Sequence, residues 1–598
     1  MIRKYYLLFF FVFTCNLLVA QEVVSNLRSN PLLLGNEFIS SSNKSVLSLP
    51  FFDDFSSDAK IVDSNLWKQS SVFLNRNYPI NPPTIGVATF DGLDEFGFAR
   101  DFNQSNVADP SDTLLSKTID LSASNSVYFM FYYQAEGMGD APENQDKLVL
   151  EFLNDTLAWE EIWSADHTIS QEFKKVVRVI NESRFLHDSF QFRFRNYATI
   201  SGNFDHWHLD YIKIDEMLSV TDTTALNDVA FVYSSPSFLD RYSEMPWSHF
   251  LNNEEFELKD SIDILLRNND ASINIDYQYN IFENNNQIFH YPSTGISRNV
   301  SVLDYDSIGN YSFVNPPINI TSDAFNSFQP DSATFVIQNI IGTASFDKKI
   351  NDTLYHVQNF YSHFAYDDGT AESAYGINIS GAKLAYEFKL NRPDTLRAVQ
   401  MYFPQMLDTV NDIDFNLTIW EETNGLPGSI IYSETVSPVH TENGLYHTYF
   451  IDPPVKIVGT FYVGWEQITD DLLNVGLDKN NEANNYMFYD AGSGWSISSY
   501  PGSWMIRPLL SWDKIILDVT DNSIKFKVYP NPATSELFIE TSSSNNIITI
   551  YSLQGNLISE VLSKSNITKI NINDLASGVY FVELLNEETK KYQKMIVR

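Results

Sequence analysis

The sequence predicts an all-β chain built from several successive β-sandwiches, on three observations. Short runs that alternate apolar and polar residues, bounded by Gly, Pro, Asn and Asp, recur along the chain, while helical periodicity is almost absent after Ala20. Aromatic residues make up 14% and charged residues 19%, which supplies large apolar side chains for cores and departs from the composition of disordered chains. The length, 598 residues, exceeds what a single hydrophobic core holds, so the chain must divide into several domains.

The first element, Met1 to Ala20, reads as an export signal: Arg3 and Lys4 give a positive start, Tyr5 to Phe13 an apolar stretch, and Leu18-Val19-Ala20 a cleavage site. The stretch is too short to span a bilayer, and no later segment offers an apolar run long enough to do so. The single cysteine, Cys15, lies inside this signal, so the mature chain has neither disulfides nor thiolate chemistry and holds its folds by burial. A formal net charge of −37 disfavours nucleic acid and anionic membrane surfaces as partners and leaves divalent cations as the natural inorganic ones.

A linker is expected over residues 21–45, then a first sandwich over 46–218 with strands at Val127 to Phe131, Lys147 to Leu153, Phe173 to Ile180, Phe190 to Arg195 and His206 to Ile214. The polar run Leu218 to Asn227 opens a second domain, 219–358, in which acidic and Asn-rich turns separate alternating strands in the manner of an immunoglobulin-like or fibronectin-like spacer. A third sandwich follows over 359–517. After a boundary at Asp518 to Ser523, a small domain occupies 524–598.

In that last segment Tyr529-Pro530-Asn531-Pro532 precedes a strand at Glu536 to Glu540, then ITIYSLQGNLI (Ile548 to Ile558), ININDLASGVYFVELL (Ile570 to Leu585) and KKYQKMIVR at the end. These motifs, in this order, closely resemble the type A C-terminal sorting domain of the type IX secretion system of Bacteroidota. The resemblance implies a seven-strand sandwich read as an address by the outer-membrane machinery, with Pro530, Asn531, Pro532, Gly555, Leu575, Gly578 and Tyr580 as its signature. It further implies passage through the periplasm and release or attachment of the body at the outer cell surface. Upstream, LPFFDDF (Leu49 to Phe55), Trp67 and HWHLDYI (His206 to Ile212) resemble the opening and closing strands of a MAM-like jelly roll, without the cysteines of animal members. FAYDDGTAESAYG (Phe364 to Gly376), FNLTIWEE, GTFYVGW and GSWMIRP resemble a second jelly-roll-like module that accompanies the same terminal tag.

Three groups of residues carry candidate chemistry. His206, His208 and Asp210 share one face of a strand, where two imidazoles and a carboxylate have the makings of a zinc site, but Tyr211 stands where a further ligand would follow. Asp53, Asp54 and Asp210, on strands that open and close the first roll, offer hard oxygens to calcium; the competing reading has them satisfy turn amides, and Asp367 and Asp368 repeat the paired-acid start in the third module. Trp420, Trp465, Trp495 and Trp504 are either core residues or aromatic platforms for sugar rings, with the last three as the expected glycan contacts. No phosphate loop, GxSxG elbow or HExxH helix appears, and no catalytic residue is assigned. Asp followed by Ser or Thr, as at Asp112, Asp155 and Asp394, resembles the O-glycosylation sequon of the same bacteria. The expectation is a secreted or surface-attached binding or adhesion protein acting on an extracellular glycan or surface protein. The rival is an extracellular hydrolase with its site in the third module.

Overall fold

The computed structural model describes residues 22–33, 45–104, 107–166, 172–217, 228–259, 262–268, 275–291, 298–299, 311–315, 325, 327, 331–342, 348–406, 412–441, 446–510, 526–541, 546–552, 557–573, 575–586 and 589–597. The export signal, the expected boundary at 218–227, the boundary at Asp518 to Ser523 and Gly555 lie outside them. The chain forms two compact units, residues 1–516 and 517–598. Both are all-β, as the alternating pattern requires.

In the first unit, the opening sandwich packs a six-stranded sheet against a five-stranded one. Val127–Ala135 lies between Lys174–Ile180 and Trp207–Glu216, and its sequence VYFMFYYQA carries apolar residues on both faces because both are covered. Phe192–Ala198, in the facing sheet, alternates buried and half-buried positions. Phe129, Phe131, Phe192 and Phe194 fill the space between the sheets edge to face, Phe129 and Phe192 with centroids 4.8 Å apart. Each such pair adds roughly 0.5–1.5 kcal/mol beyond its buried area.

The second and third segments share one hydrophobic core that runs from Val229 to Leu510. A single helical turn, Trp247–Phe250, plugs the second segment, with Trp247 on Phe360 at 5.3 Å. The neighbouring Tyr242 stacks into the third segment against Phe364 and Tyr366, both at 4.8 Å. His249, fully buried, meets Asp394 of the third segment at 3.0 Å. The third segment layers a six-stranded sheet, led by Leu426–Val436 at one edge, on a three-stranded and a four-stranded sheet.

The stretch read as a linker behaves otherwise in its described residues. Glu22–Ser25 is a strand, paired antiparallel with Ser373–Ile377 at the edge of the four-stranded sheet. Four residues are too few for a period to show, and the partner strand lies some 350 positions away, so local pattern could not reveal it.

The terminal unit stands by itself as a three-stranded and a four-stranded sheet around Val528, Leu537, Ile539, Ile548, Ile550, Val582, Leu584 and Met595.

Candidate functional site

The terminal signature is built into the fold. Pro530 and Pro532 have no N–H to offer, and the Asn531 side chain supplies what the backbone lacks. Its Nδ2 donates to the Lys594 carbonyl at 2.8 Å and its Oδ1 accepts from the Ile596 amide at 2.9 Å, so the turn is sewn to the last strand, Thr589–Val597. Ala533 N extends the same seam to the Ile596 carbonyl at 2.8 Å. Leu575 and Tyr580 pack on the core, Tyr580 OH also donates to the Ala576 carbonyl at 2.9 Å, and Gly578 opens the strand Gly578–Asn586.

In the first sandwich the three expected calcium ligands divide. Asp53 ends the strand Phe51–Asp53 and turns to Trp67, accepting its Nε1–H at 2.7 Å, and burial pushes its carboxyl up to about 6. Asp54 and Asp210 lie near one another around Thr84, whose hydroxyl is 3.3 Å from the Asp54 carbonyl oxygen and 3.0 Å from Asp210 Oδ1. Asp54 accepts from Ser56 Oγ at 2.7 Å and from Asn351 Nδ2 at 3.1 Å. Asp210 takes the Thr84 amide at 2.9 Å and its hydroxyl at 3.0 Å. Burial first, and the charge of Asp54 after it, hold Asp210 well above the ordinary carboxylate range. Asp228, at 3.2 Å from Asn351 Nδ2, adds a third buried acid that the sequence reading missed.

His206 and His208 share the face of Asp210, yet each ring has its own partner. The Asp140 amide donates to His206 Nδ1 at 2.9 Å under the stacked ring of Tyr78. His208 lies 2.8 Å from the Thr89 hydroxyl and 3.2 Å from the Glu136 carbonyl, which fixes Nε2 as donor and Nδ1 as acceptor. Burial lowers His208 to about 4, so the ring is neutral at physiological pH. Among the described residues, the three acids whose oxygens all lie within 4.8 Å of one another are instead Glu143, Asp146 and Asp205. Burial raises Asp205 to about 7.

The paired acids of the third segment anchor a dense polar network. Asp367, fully buried, accepts from Arg507 NH2 at 2.5 Å and Nε at 3.3 Å, from the Gly369 amide at 3.0 Å and from the Tyr446 hydroxyl. Asp368 Oδ1 takes the Thr370 amide at 2.9 Å. Asp478 gathers the amides of Asp368 at 2.8 Å and Asn480 at 2.7 Å. Glu372 accepts the Lys479 amide at 2.8 Å, and burial followed by the charge of Asp368 pushes it up to about 8. On the far side of Arg507, His363 Nε2 bonds Glu244 at 2.8 Å. Burial opposes ionisation of Glu244, but the bond from His363 and the nearby charges outweigh it and bring the pKa down to about 2. Glu244, His363 and Arg507 lie in three separate stretches, and no spacing signal joins them.

Of the tryptophans, Trp465 and Trp504 are 0% exposed and face each other across the core at 6.4 Å, so neither can reach a sugar. Alternation on the six-stranded sheet sends Leu384, Tyr386, Val463 and Trp465 inward and Ala385, Tyr462 and Phe488 outward, where they join Trp420. Trp495 covers this outer cluster, 5.6 Å from Trp420, and stays partly exposed. Its tip is shaped by Asp490, whose Oδ1 accepts the amides of Gly492 at 2.8 Å and Gly494 at 2.9 Å. Among the sequons, Asp112 and Asp394 are buried and Asp155 with Thr156 is exposed at a turn.

Residues 527–598 match the family of secretion system C-terminal sorting domains. None of the curated proteins matches the chain significantly. Among solved structures, PorZ, a surface component of the type-IX secretion system of Porphyromonas gingivalis, aligns at 16% identity over 22% of this chain and 17% of its own, with a TM-score of 0.12. The chain thus spans under a fifth of PorZ. The CBM22 tandem of Paenibacillus barcinonensis Xyn10C aligns at 9% identity over 73% of this chain and 99% of its own, TM-score 0.16, and latent PorU of Porphyromonas gingivalis at 10% over 64% and 35%, TM-score 0.13. Likenesses this distant transfer no ligand and no reaction. The terminal match indicates export by the type IX secretion system to the cell surface or the extracellular space.

Proposed function

We propose that the chain is a cargo of the type IX secretion system whose body acts as a non-catalytic binding or adhesion protein at or beyond the outer cell surface. The sorting domain at 527–598 carries the export half of this reading. What supports a non-catalytic body is the use of its acids: Asp367, Asp368, Glu372 and Asp478 direct their oxygens at turn amides and Arg507. For a glycan partner, the partly exposed indole of Trp495, seated on the buried Trp420, Tyr462 and Phe488, is the aromatic face with suitable chemistry, since an indole face pairs with the apolar face of a sugar ring.

The test is fractionation of cells that carry a chain stopped after Asp521. Retention of a folded, protease-resistant body in the periplasm supports the address; its appearance outside as efficiently as the full chain rejects it. A glycan array read with the full chain and with Trp495→Ala tests the binding half, and equal signals reject the aromatic surface. Calcium belongs to the same reading at Asp54 and Asp210, whose hard oxygens suit it and whose like charges it would offset. Equal melting in calcium and in chelator rejects that site, and Asp210→Asn separates it from Glu143, Asp146 and Asp205.

A further inference from the structure

Glu22–Ser25 supplies the outermost strand of its sheet, and the strand it covers, Ser373–Ile377, is buried at all five positions. Without that cover, Ser373–Ile377 would be an open edge with unpaired backbone groups, the kind of surface that accepts an added strand. The seat also reads side chains. Glu22 and Val24 point the same way, as alternate strand residues must. Val24 packs on the shared core, and the Glu22 carboxylate, in a residue only 7% exposed, accepts from the hydroxyls of Tyr375 and Ser498. Tyr500 OH donates to the Glu22 carbonyl at 3.3 Å. Two hydroxyls converge on one carboxylate oxygen, so the seat rewards an acceptor side chain, and its burial makes a cation there costly to desolvate.

Beyond Ser25 the same segment crosses to the first sandwich. Asn26 Nδ2 donates to Asp140 at 2.6 Å, the Asn203 amide to the Leu27 carbonyl at 3.1 Å, and the Asn30 amide to the Gly97 carbonyl at 2.8 Å. Leu33 is buried beside Phe73 and Tyr78. The first sandwich makes room for this path. Gly97 has φ +82°, and a Cβ there would lie 2.2 Å from the Asn30 carbonyl oxygen.

We propose that the edge of Ser373–Ile377, with Tyr375, Ser498 and Tyr500, is a strand-acceptor site for an extended peptide that presents a carboxylate followed by β-branched residues. In the native chain Glu22–Ser25 fills it in cis, and the segment 22–33 straps the first sandwich to the third.

The experiment uses the full chain and a labelled peptide of the sequence Glu22 to Leu33. Glu22→Lys removes the acceptor and drives an ammonium into a position only 7% exposed, which unseats the strap, so this variant should bind the peptide saturably and regain its melting temperature on doing so. The wild-type chain, with its site filled, should bind at least tenfold less, and a peptide carrying lysine in place of the glutamate should not bind the variant. A folded Glu22→Lys chain that ignores the peptide overturns the proposal. Should that variant not fold, Gly97→Ala offers release from the other end, and hydrogen exchange on the wild-type chain decides independently. Amides within 22–25 that exchange as slowly as those within 473–478 support a seated strand, and exchange at the rate of open chain overturns it.

Discussion

Removing both partners of the Arg507–Asp367 pair should cost clearly less than the sum of removing each alone. Asp367 is fully buried and Arg507 7% exposed, with contacts at 2.5 and 3.3 Å. Asp367→Ala leaves a guanidinium facing Tyr446 and His363 with its closest counter-charge gone. Loss of one member of such a pair typically destabilises by about 3–5 kcal/mol, because the remaining charge keeps its desolvation penalty without its compensation. Arg507→Met strands Asp367 in the same way, although the Gly369 amide and Tyr446 still donate to it, so the lower end of that range applies. The double variant removes both charges and should fall short of the sum of the singles by about 2 kcal/mol or more, within the range of coupled neighbours. Thermal melting of the four full-length chains at one pH, with hydrogen exchange at Gly369 as a local probe, measures the cycle. Strict additivity would refute the reasoning, since it would mean that the two side chains do not stabilise one another.

Stability should fall as pH rises from 6.5 to 8. Glu372 (about 8) and Asp205 (about 7) bind protons in the folded state that the unfolded state has already released, so each removes up to ~1.4 kcal/mol per pH unit across its window, and Glu372→Gln should flatten the melting profile there. Below pH 6.5 the slope should be opposed by His208 and His356, both near 4, which stay neutral when folded and take up protons when unfolded; a wild-type melting temperature that climbs steadily from 6.5 to 8 contradicts both assignments. Trp465→Ala should destabilise by about 3–5 kcal/mol as a core cavity and Trp495→Ala by under about 1 kcal/mol, a contrast that comparative melting reads directly. Asn531→Ala should lower the stability of the terminal unit by about 1–3 kcal/mol through its two lost bonds to the last strand, seen as an earlier calorimetric transition with the rest of the trace unmoved.

The readable parts of the sequence were those where one local signal decides the outcome. Alternation such as that of Phe192–Ala198 announces a half-buried strand, and Pro-Asn-Pro announces a turn, so the all-β class and the terminal domain were legible. Asp53 and Asp54 show where the same rule stops: the strand Phe51–Asp53 ends between them, so alternation could not say that Asp54 would be the one to act on Asp210. The tryptophans were beyond it. Thr460–Gln467 is buried on both faces, so period alone cannot say that Trp465 lines the core while Tyr462 lies under Trp495. Long-range partners left no trace either. Glu22 with Tyr375, and Glu244 with His363 and Arg507, are joined by topology, and none of these residues is distinctive in its own neighbourhood.

The core that runs unbroken from Val229 to Leu510 bears on how such a chain could be recombined. Exchanging the third segment for a homologous one would confront Trp247, Tyr242 and His249 with foreign surfaces, so crossovers within this stretch should be rejected, and one upstream of Val229 should be tolerated only where the partners of Glu22–Ser25 and of Ile85, which also joins this core, are kept. A shuffled library that carries breakpoints along the whole body would map that inheritance block: surviving chimaeras should keep residues 229 to 510 from a single parent.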